Sequence, residues 1–300
     1  MVTRVGHIGL QTPDLERSVA HAETILGLRE VERVDGTSYL TCNSRHHELE
    51  LLQADAHRLD HLAFEVSGAD ALAHIEDRVR SQGFGILDVA GERRGVERSV
   101  RVVGPGGFVF ELFCGMQTVE PAHYNTVGIR PLKFEHITLK STDKDAMEGF
   151  LVDVLGLRVS DRAEDAISWL RASDEHHGVS IIRADVDQLH HYAWQIAGWN
   201  EIARVGDHLL RNGRRFLWGP GHHGIGDNYF CYFLDDDGSI VEYSANILRI
   251  ENESSYAPAI WPDTPLSVNR WGNPEPPDAF LTGGTTIWTP APAGAVSDGR

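Results

Sequence analysis

The sequence is poor in cysteine, has fewer basic than acidic residues and lacks a long apolar run. Its three cysteines, Cys42, Cys114 and Cys231, are odd in number and widely spaced, so we expect no disulfide framework and a reducing cytoplasm as the compartment. No run reaches the roughly 18 apolar residues needed to span a bilayer, so no membrane span is expected. The first residues, MVTRVGHIGL, lack the charged-then-apolar order that marks a signal peptide.

The acidic excess limits the partners. Asp and Glu number 44 against 27 Lys and Arg, which gives a formal net charge of −17. Because such a chain repels phosphate groups, we expect neither a nucleic acid nor an anionic membrane as a partner. What the chain does have is enough apolar content, 41% of 300 residues, for a sizeable core in two domains. Its sixteen histidines make a metal site worth seeking.

A long internal repeat organises the chain. The segment VGHIGLQTPDLERSVAHAETILGLREV, from Val5, aligns with FEHITLKSTDKDAMEGFLVDVLGLRV, from Phe134. Each copy reads as an alternating strand, a cap region of Ser, Thr or Asp, an amphipathic helix and then LGLR leading into further strand. Three shorter matches follow in the same order: RHHELELL with EHHGVSII, LDHLAFEV with LHHYAWQI, and GPGGFVFELF with DDDGSIVEYS.

Three polar positions stay in register through both copies. In the first copy, 54 residues separate His7 from His61, and 50 more lead to Glu111. The second copy has separations of 55 and 51 between residues of the same types, His136, His191 and Glu242. Chance would not hold three polar positions in step over so long a stretch, so we infer a duplicated domain.

The repeat predicts the domain organisation. Residues 1–120 and 130–250 are the two expected domains, joined near TVEPAHYNTVGIRP. Each half divides again into a strand, a helix and several strands punctuated by glycine, so we predict an α+β fold of four βαβββ modules, paired two to a domain. Residues 251–300 break the pattern. Their proline and tryptophan predict an ordered but irregular surface segment, with a mobile end of about fifteen residues.

The strand alternation puts the polar residues of the second copy on one side. Side chains alternate across a strand, so His136, His191 and Glu242 each stand opposite bulky apolar neighbours. Two imidazoles and one carboxylate on one face of an octahedron leave three positions free, which suits Fe(II) holding a substrate and dioxygen together. Zn(II) or Mn(II) would fit the same donors. Hydrogen-bonded core histidines are the alternative, which the buried glutamate in register disfavours.

These motifs resemble the vicinal oxygen chelate superfamily and, within it, the two-domain type I extradiol ring-cleavage dioxygenases. The resemblance covers about residues 3–250 through FEHITL, LHHYAW, GPGHHGIGDNYFCYFLDDDG and IVEYS. It implies paired βαβββ modules that form an open barrel in each domain, and Fe(II), with Mn(II) as an alternative, on His136, His191 and Glu242. It also implies a catechol-type substrate, dioxygen as co-substrate, a homo-oligomer and a role in degrading aromatic compounds.

The resemblance extends to residues around the metal. It makes His177, fourteen residues before the second histidine ligand, the acid/base catalyst. His223 would line the substrate pocket nineteen residues before the glutamate, and Tyr232, ten before it, would hydrogen-bond the bound catecholate. The adjacent histidines, His176 and His222, are the second choices for these roles.

One position departs from some relatives, which carry an arginine that contacts an acidic substrate tail where Trp218 stands. A catechol with a carboxylate tail is therefore less expected than a flatter or bulkier aromatic one, unless Trp218 only packs.

Two other functions remain open. One is a metal-dependent lyase or isomerase of the glyoxalase kind, and the other is a metal-free protein that binds an aromatic ligand, as bleomycin-resistance proteins do.

The first copy keeps part of the metal pattern. His7, His61 and Glu111 match the three ligands, and His47 matches the acid/base histidine. The tyrosine position holds Arg101, however, and no counterpart of GPGHHGIGDNYF is present. In the family this half usually carries no metal. A second metal site and a set of polar groups that satisfy one another are both open, and catalysis is not expected there.

Overall fold

The computed structural model describes residues 1–88, 93–120 and 128–290. The elements of the first half, in chain order, are β1 (Val2–Thr12), α1 (Leu15–Thr24), β2 (Arg29–Val34), β3 (Thr37–Thr41), β4 (Leu49–Gln53), β5 (Arg58–Val66), α2 (Ala69–Ser81), β6 (Gly85–Asp88), β7 (Arg98–Val103) and β8 (Val109–Cys114). A short 3₁₀ turn, Pro105–Gly107, precedes β8.

The second half repeats this order and then continues. Its elements are β9 (Lys133–Ser141), α3 (Lys144–Gly149), β10 (Arg158–Ala163), β11 (Ile167–Arg171), β12 (Val179–Arg183), β13 (Gln188–Gln195), α4 (Trp199–Arg211), β14 (Trp218–His222), β15 (Tyr229–Leu234), β16 (Ile240–Ala245), β17 (Ala259–Trp261), α5 (Pro265–Val268), α6 (Asp278–Thr282) and β18 (Thr285–Thr286). A π-helical turn, Phe150–Val154, extends α3.

The strand order confirms the four βαβββ modules. In the described residues the first sheet runs β2-β3-β4-β1-β5-β8-β7-β6, and the second runs β10-β11-β12-β9-β13-β16-β15-β14 with β17 added beside β10. These orders are identical when each strand of the first half is matched with its repeat. Within each module the first and last strands pair in parallel, and the two modules of a half join through antiparallel first strands, β1 with β5 and β9 with β13.

The helix starts repeat as the sequence predicts. The Asp14 carboxylate accepts a hydrogen bond from the backbone N–H of Arg17, and Asp143 accepts one from Ala146 in the same way. The apolar side of α4 is buried through Ile202, Val205 and Leu209, three and four residues apart. The helices therefore cover one face of each sheet and leave the other to line a concave interior.

The boundary between the halves stays a prediction. One apolar cluster contains buried residues from both, and the Phe84 and Phe150 rings lie 4.7 Å apart across it. The ring of His57 meets Ser239 Oγ of the other half at 2.6 Å. The predicted linker includes residues 121–127, which lie outside the described residues. None of the helices in the described ranges has the length and hydropathy that crossing a bilayer requires.

The segment after residue 250 is described through residue 290 and returns to the second sheet. Its strand β17 pairs with β10, and β18 pairs with β13. Phe280 is buried, its carbonyl oxygen lies 2.9 Å from His190 Nε2, and the Trp218 indole donates to Pro274 O at 2.9 Å. The segment therefore closes one side of the concave interior. Residues 291–300, where a mobile end is expected, lie outside the described residues.

Candidate metal centre

Three adjacent strands bring the predicted ligands to one level of the second sheet. His136 lies on β9, His191 on β13 and Glu242 on β16. Ala193 of β13 pairs with His136 on one side and with Glu242 on the other, so register fixes those two side chains at the same height. All three ligand side chains are buried, with Glu242 only 1% exposed.

The donor atoms converge on one point. Glu242 Oε2 lies 3.0 Å from His136 Nε2 and 3.2 Å from His191 Nε2. Bonds of about 2.0–2.2 Å to a divalent first-row ion place neighbouring donors about 2.8–3.6 Å apart, from octahedral to tetrahedral angles. Both distances to Glu242 lie in this range, and all three donor atoms lie within 4.8 Å of one another. Two neutral imidazoles with one carboxylate are donors that Fe(II), Mn(II) and Zn(II) accept.

Each imidazole is held by a partner on its far side. His136 Nδ1 lies 3.1 Å from Glu135 Oε2. The Nδ1 atoms of His191 and His190 lie 2.7 Å apart, and His190 Nε2 lies 2.9 Å from the carbonyl oxygen of Phe280. Because these contacts involve the Nδ1 atom of each ligand histidine, the Nε2 atom of each is directed at Glu242.

The three ligand side chains shift one another's pKa values. Burial alone would lower the pKa of His136, but Glu242 and Glu135 raise it to about 10. Burial alone would raise the pKa of the Glu242 carboxyl, but His136 and His191 hold it well below its usual range. Burial lowers the pKa of His191. The metal-free cluster thus keeps a proton between imidazole and carboxylate, which a divalent cation displaces on binding.

The structure brings the other predicted residues to the same cavity. It encloses about 270 Å³, and His177, His223 and Tyr232 line it together with the triad. The His177 ring centroid lies 4.6 Å from that of His136, and His223 Nε2 lies 3.1 Å from the Tyr232 hydroxyl. Burial lowers the pKa of His177 well below its usual range and that of His223 to about 4, and burial with Glu242 raises that of Tyr232.

The second-choice histidines lie elsewhere. His176 Nε2 is 3.2 Å from Asp161 Oδ2, behind His177. The His222 ring stacks on Tyr229 at 4.4 Å and contacts Asp227. Neither His176 nor His222 lines the cavity.

An aromatic wall faces the triad. Trp218 stacks on Tyr232 with ring centroids 5.4 Å apart, and Phe280 lies 4.6 Å from each of them. Trp218 therefore both packs and lines the cavity.

Phe280 was not predicted from the sequence, because the irregular segment after residue 250 has no periodicity from which to infer its position. Lys140, which also lines the cavity, was detectable because it shares a strand face with His136.

Comparisons with known proteins agree with this geometry. The family model described as Glyoxalase/Bleomycin resistance protein/Dioxygenase superfamily matches residues 4–112 and 133–243. The chain is 28% identical to metapyrocatechase 2 of Cupriavidus necator, over 93% of this chain and 92% of that protein. It is 24% identical to the manganese-dependent 2,3-dihydroxybiphenyl 1,2-dioxygenase of Geobacillus genomosp. 3, over 91% and 95%.

Solved structures show the same fold. Homoprotocatechuate 2,3-dioxygenase from Arthrobacter globiformis superposes with a TM-score of 0.87 at 24% identity, covering 97% of this chain and 95% of that one. The Mn(II)-bound glyoxalase from Novosphingobium aromaticivorans gives a TM-score of 0.86 at 24% identity, covering 95% and 96%.

Proposed function

The chain belongs to the Glyoxalase/Bleomycin resistance protein/Dioxygenase superfamily, and we propose that it is a metal-dependent extradiol dioxygenase that opens the ring of a catechol-type diol with dioxygen. The observation that carries the proposal is the convergence of His136, His191 and Glu242 at a cavity whose wall holds further acid/base groups. Relatives named as a metapyrocatechase and a dihydroxybiphenyl dioxygenase support the diol as the substrate class.

We infer Fe(II) as the ion, with Mn(II) as the alternative that the same donors accept. The Mn-dependent relative supports the alternative. When bound, the ion supplies a Lewis acid that lowers the pKa of a catechol hydroxyl and brings the diol and dioxygen together. His136, His191 and Glu242 would occupy one side of it and leave the cavity side for both reactants.

His177 is the residue we assign to proton transfer. Its Nδ1 lies 3.0 Å from His176 Nδ1, so Nε2 is the nitrogen left for the substrate. Burial keeps the imidazole neutral and makes it a weak base, so it would take the proton from a diol hydroxyl whose own pKa a bound ion has lowered. The same nitrogen then returns the proton to an oxygen of the opening ring.

His223 and Tyr232 are the residues we assign to substrate orientation. Their contact at 3.1 Å joins two groups that can hold one substrate oxygen between them. The raised pKa of Tyr232 keeps its phenol protonated, so the hydroxyl donates to that oxygen. Trp218 and Phe280 supply flat apolar surfaces against which an aromatic ring stacks.

The cavity favours an aromatic diol without a carboxylate tail. Its cation, Lys140, donates hydrogen bonds from Nζ to the carbonyl oxygens of Leu281 and Gly283 at 2.9 and 2.7 Å. Asp263 lines the same cavity. Two of the three N–H donors of the ammonium group are therefore already used, and a substrate carboxylate would also meet the like charge of Asp263.

Two finer inferences accompany the proposal. We infer a homo-oligomer, which light scattering of the purified protein checks, and a cytoplasmic location without a nucleic-acid partner.

The glyoxalase-like alternative remains open because the Mn(II)-bound neighbour of the same fold is named a glyoxalase. A fourth protein ligand would favour it, whereas the cluster found in the described residues has three.

The test uses metal-depleted protein reloaded anaerobically with Fe²⁺ or Mn²⁺. Catechol and 2,3-dihydroxybiphenyl are then added in air, and visible absorption, oxygen uptake and product mass under ¹⁸O₂ are recorded. We expect a yellow ring-opened product that carries both labelled oxygen atoms. A glutathione hemithioacetal serves as the substrate for the alternative. Turnover of that compound with no oxygen uptake on any diol would contradict the proposal.

A further inference from the structure

A second buried cluster of metal-ligating groups lies in the first half. Its buried members come from four strands and the loop before β4, and they are His7, His47, Glu50, His61 and Glu111. The half-buried Arg101 of β7 lies among them. The proposed function uses none of them. The duplicated triad, His7, His61 and Glu111, is brought together as the repeat predicts.

Arg101 already pairs with the carboxylate of the duplicated triad. Its Nε donates to Glu111 Oε2 at 3.1 Å, and its terminal nitrogens lie 3.3 Å from Asp60 Oδ1 and 3.1 Å from His61 Nδ1. It faces Glu111 across β7 and β8 at the register where Tyr232 faces Glu242. Because a fixed guanidinium neutralises this carboxylate and repels a cation, the triad is a poor metal site.

His61 takes a ring position that differs from that of His191. Its Nδ1 lies 2.8 Å from Asp60 Oδ1, and a side-chain carbon added at Gly9 would sit 2.3 Å from the ring. The second half has Thr138 where Gly9 stands. The ring therefore occupies space that a larger residue would close. Its Nδ1 contacts Asp60 and Arg101, and its Nε2 lies 3.3 Å from His7 Nε2.

Glu50 offers a different carboxylate to the same region. It lies beside Gly9 on β4, at the position of Ser180 in the second half. Its Oε1 is 3.3 Å from His7 Nε2 and 3.1 Å from His47 Nε2, the spacing of neighbouring donors around one ion. The His47 Nε2 atom is buried and lies close to Glu50 Oε1, but the angle between them is unsuitable for a hydrogen bond. Among the described residues it has no other hydrogen-bond partner.

Of three buried carboxylates, Asp60 and Glu111 contact the half-buried guanidinium of Arg101. Arg93 also approaches Glu111, at 3.8 Å. Glu50, the third acidic group, has no Lys or Arg in direct contact among the described residues. In the ion pairs found among the described residues, Glu50 meets histidines only. A buried carboxylate flanked by two imidazoles is compensated most simply by a divalent cation.

We propose that the first half binds a divalent first-row transition ion through His7, His47 and Glu50, a set that shares His7 with the duplicated triad but takes its carboxylate from β4 instead of β8. His46 supports the site from behind, because its Nδ1 lies 2.9 Å from His47 Nδ1 and so leaves His47 Nε2 for the ion. The ion stabilises the folded first half, since the unfolded chain lacks the assembled site. With Arg101 at the tyrosine position, this site takes no part in ring cleavage.

The test counts metal ions in variants that separate the two halves. The background is Glu242→Ala, which removes the second-half carboxylate ligand. Metal-depleted protein is loaded with Zn²⁺, or with Mn²⁺, desalted and analysed by mass spectrometry of the metal. We expect two ions per chain in the unsubstituted protein and one in Glu242→Ala. Adding Glu50→Gln should remove the remaining ion, whereas the matched change Glu111→Gln should keep it.

Three outcomes overturn the proposal: no ion in Glu242→Ala, an ion kept in the Glu50→Gln double variant, or an ion lost only with Glu111→Gln. A thermal scan checks folding, and Zn²⁺ should raise the unfolding temperature of Glu242→Ala but not of the Glu50→Gln double variant. If Glu50→Gln does not fold, anomalous diffraction from Zn²⁺-loaded Glu242→Ala decides. A peak between His7, His47 and Glu50 supports the site, and its absence refutes it.

Discussion

Asn228 donates a hydrogen bond from Nδ2 to Oε1 of Glu242 at 3.3 Å. The same amide group donates to Ser244 Oγ at 3.0 Å, so both groups on β16 fix its orientation. The contact occupies one carboxylate oxygen and leaves Oε2 for the two ligand histidines. The carboxylate is thus held in the direction that a metal ion requires before the ion arrives.

Replacing Asn228 with Ala should weaken metal binding while the three ligands remain. Loss of a hydrogen bond behind a metal ligand typically lowers affinity about 10–100-fold, because the ligand must then be ordered by the ion. Competition with a chromophoric chelator measures the change for Fe²⁺ or Mn²⁺. The exposed Asn252→Ala is the matched control and should bind as the unsubstituted protein does. Equal affinities for both variants would show that Asn228 does not orient Glu242.

Replacing His177 with Phe should leave the metal bound and lower ring-cleavage turnover about 10²–10⁴-fold, the usual contribution of a positioned acid/base group. The His177 ring lies beside His136 without being one of the three converging donors. Metal content, product formation and oxygen uptake are measured together, and some of the oxygen consumed should appear as hydrogen peroxide. His222→Phe is the control outside the cavity. Unchanged turnover in His177→Phe would remove that residue from the mechanism.

Replacing Tyr232 with Phe should keep the aromatic stack with Trp218 and remove only the hydroxyl that meets His223. We expect kcat to fall about 10–100-fold, since a hydrogen bond to a developing charge on the substrate oxygen is lost. Steady-state kinetics with catechol check this. If KM alone rises while kcat is kept, the hydroxyl helps binding and does not act on the reacting oxygen.

Replacing His21 with Leu should reduce the loss of stability in mild acid. Burial and the nearby Arg214 guanidinium lower the pKa of His21 to about 3. As the pH falls from 6.5 toward 3, the unfolded chain gains a proton at this position that the folded chain resists. The free energy of unfolding therefore falls by about 1.4 kcal/mol per pH unit from this group. Above pH 6.5 the contribution is fully present.

Urea unfolding of metal-depleted protein at several pH values between 7 and 5 measures this effect. The His21→Leu variant should show a shallower decline than the unsubstituted chain, and the exposed His74→Leu variant should decline as the unsubstituted chain does. A slope that is the same in all three proteins would show that His21 takes up its proton in the folded state as readily as in the unfolded state.

The repeat explains why so much of the fold and site was predictable. Strand alternation and strict spacing determine which way His136, His191 and Glu242 point, and duplication supplies an internal check on the register. The loop and strand positions of His177, His223 and Tyr232 followed from the resemblance, and the structure brings all three to the cavity. Their chemical roles stay predictions until the variants are measured.

What escaped prediction lies where the repeat gives no information. Phe280 closes the cavity from a segment without periodicity, and only the folded path shows that its carbonyl meets His190. Glu50 was not predicted as a ligand for another reason. The alignment of RHHELELL with EHHGVSII places it against Ser180, so its presence on the histidine side was visible in the sequence. Its distance from His7 depends on strand pairing, which the alignment does not give.

Anomalous diffraction at the iron edge, from crystals grown anaerobically with Fe²⁺, tests the central claim most directly. The predicted result is a peak about 2.0–2.2 Å from His136 Nε2, His191 Nε2 and Glu242 Oε2, with catechol added anaerobically ordered beside it against Trp218 and Phe280. A cavity without an iron peak, or a catechol bound away from these three side chains, would contradict the account.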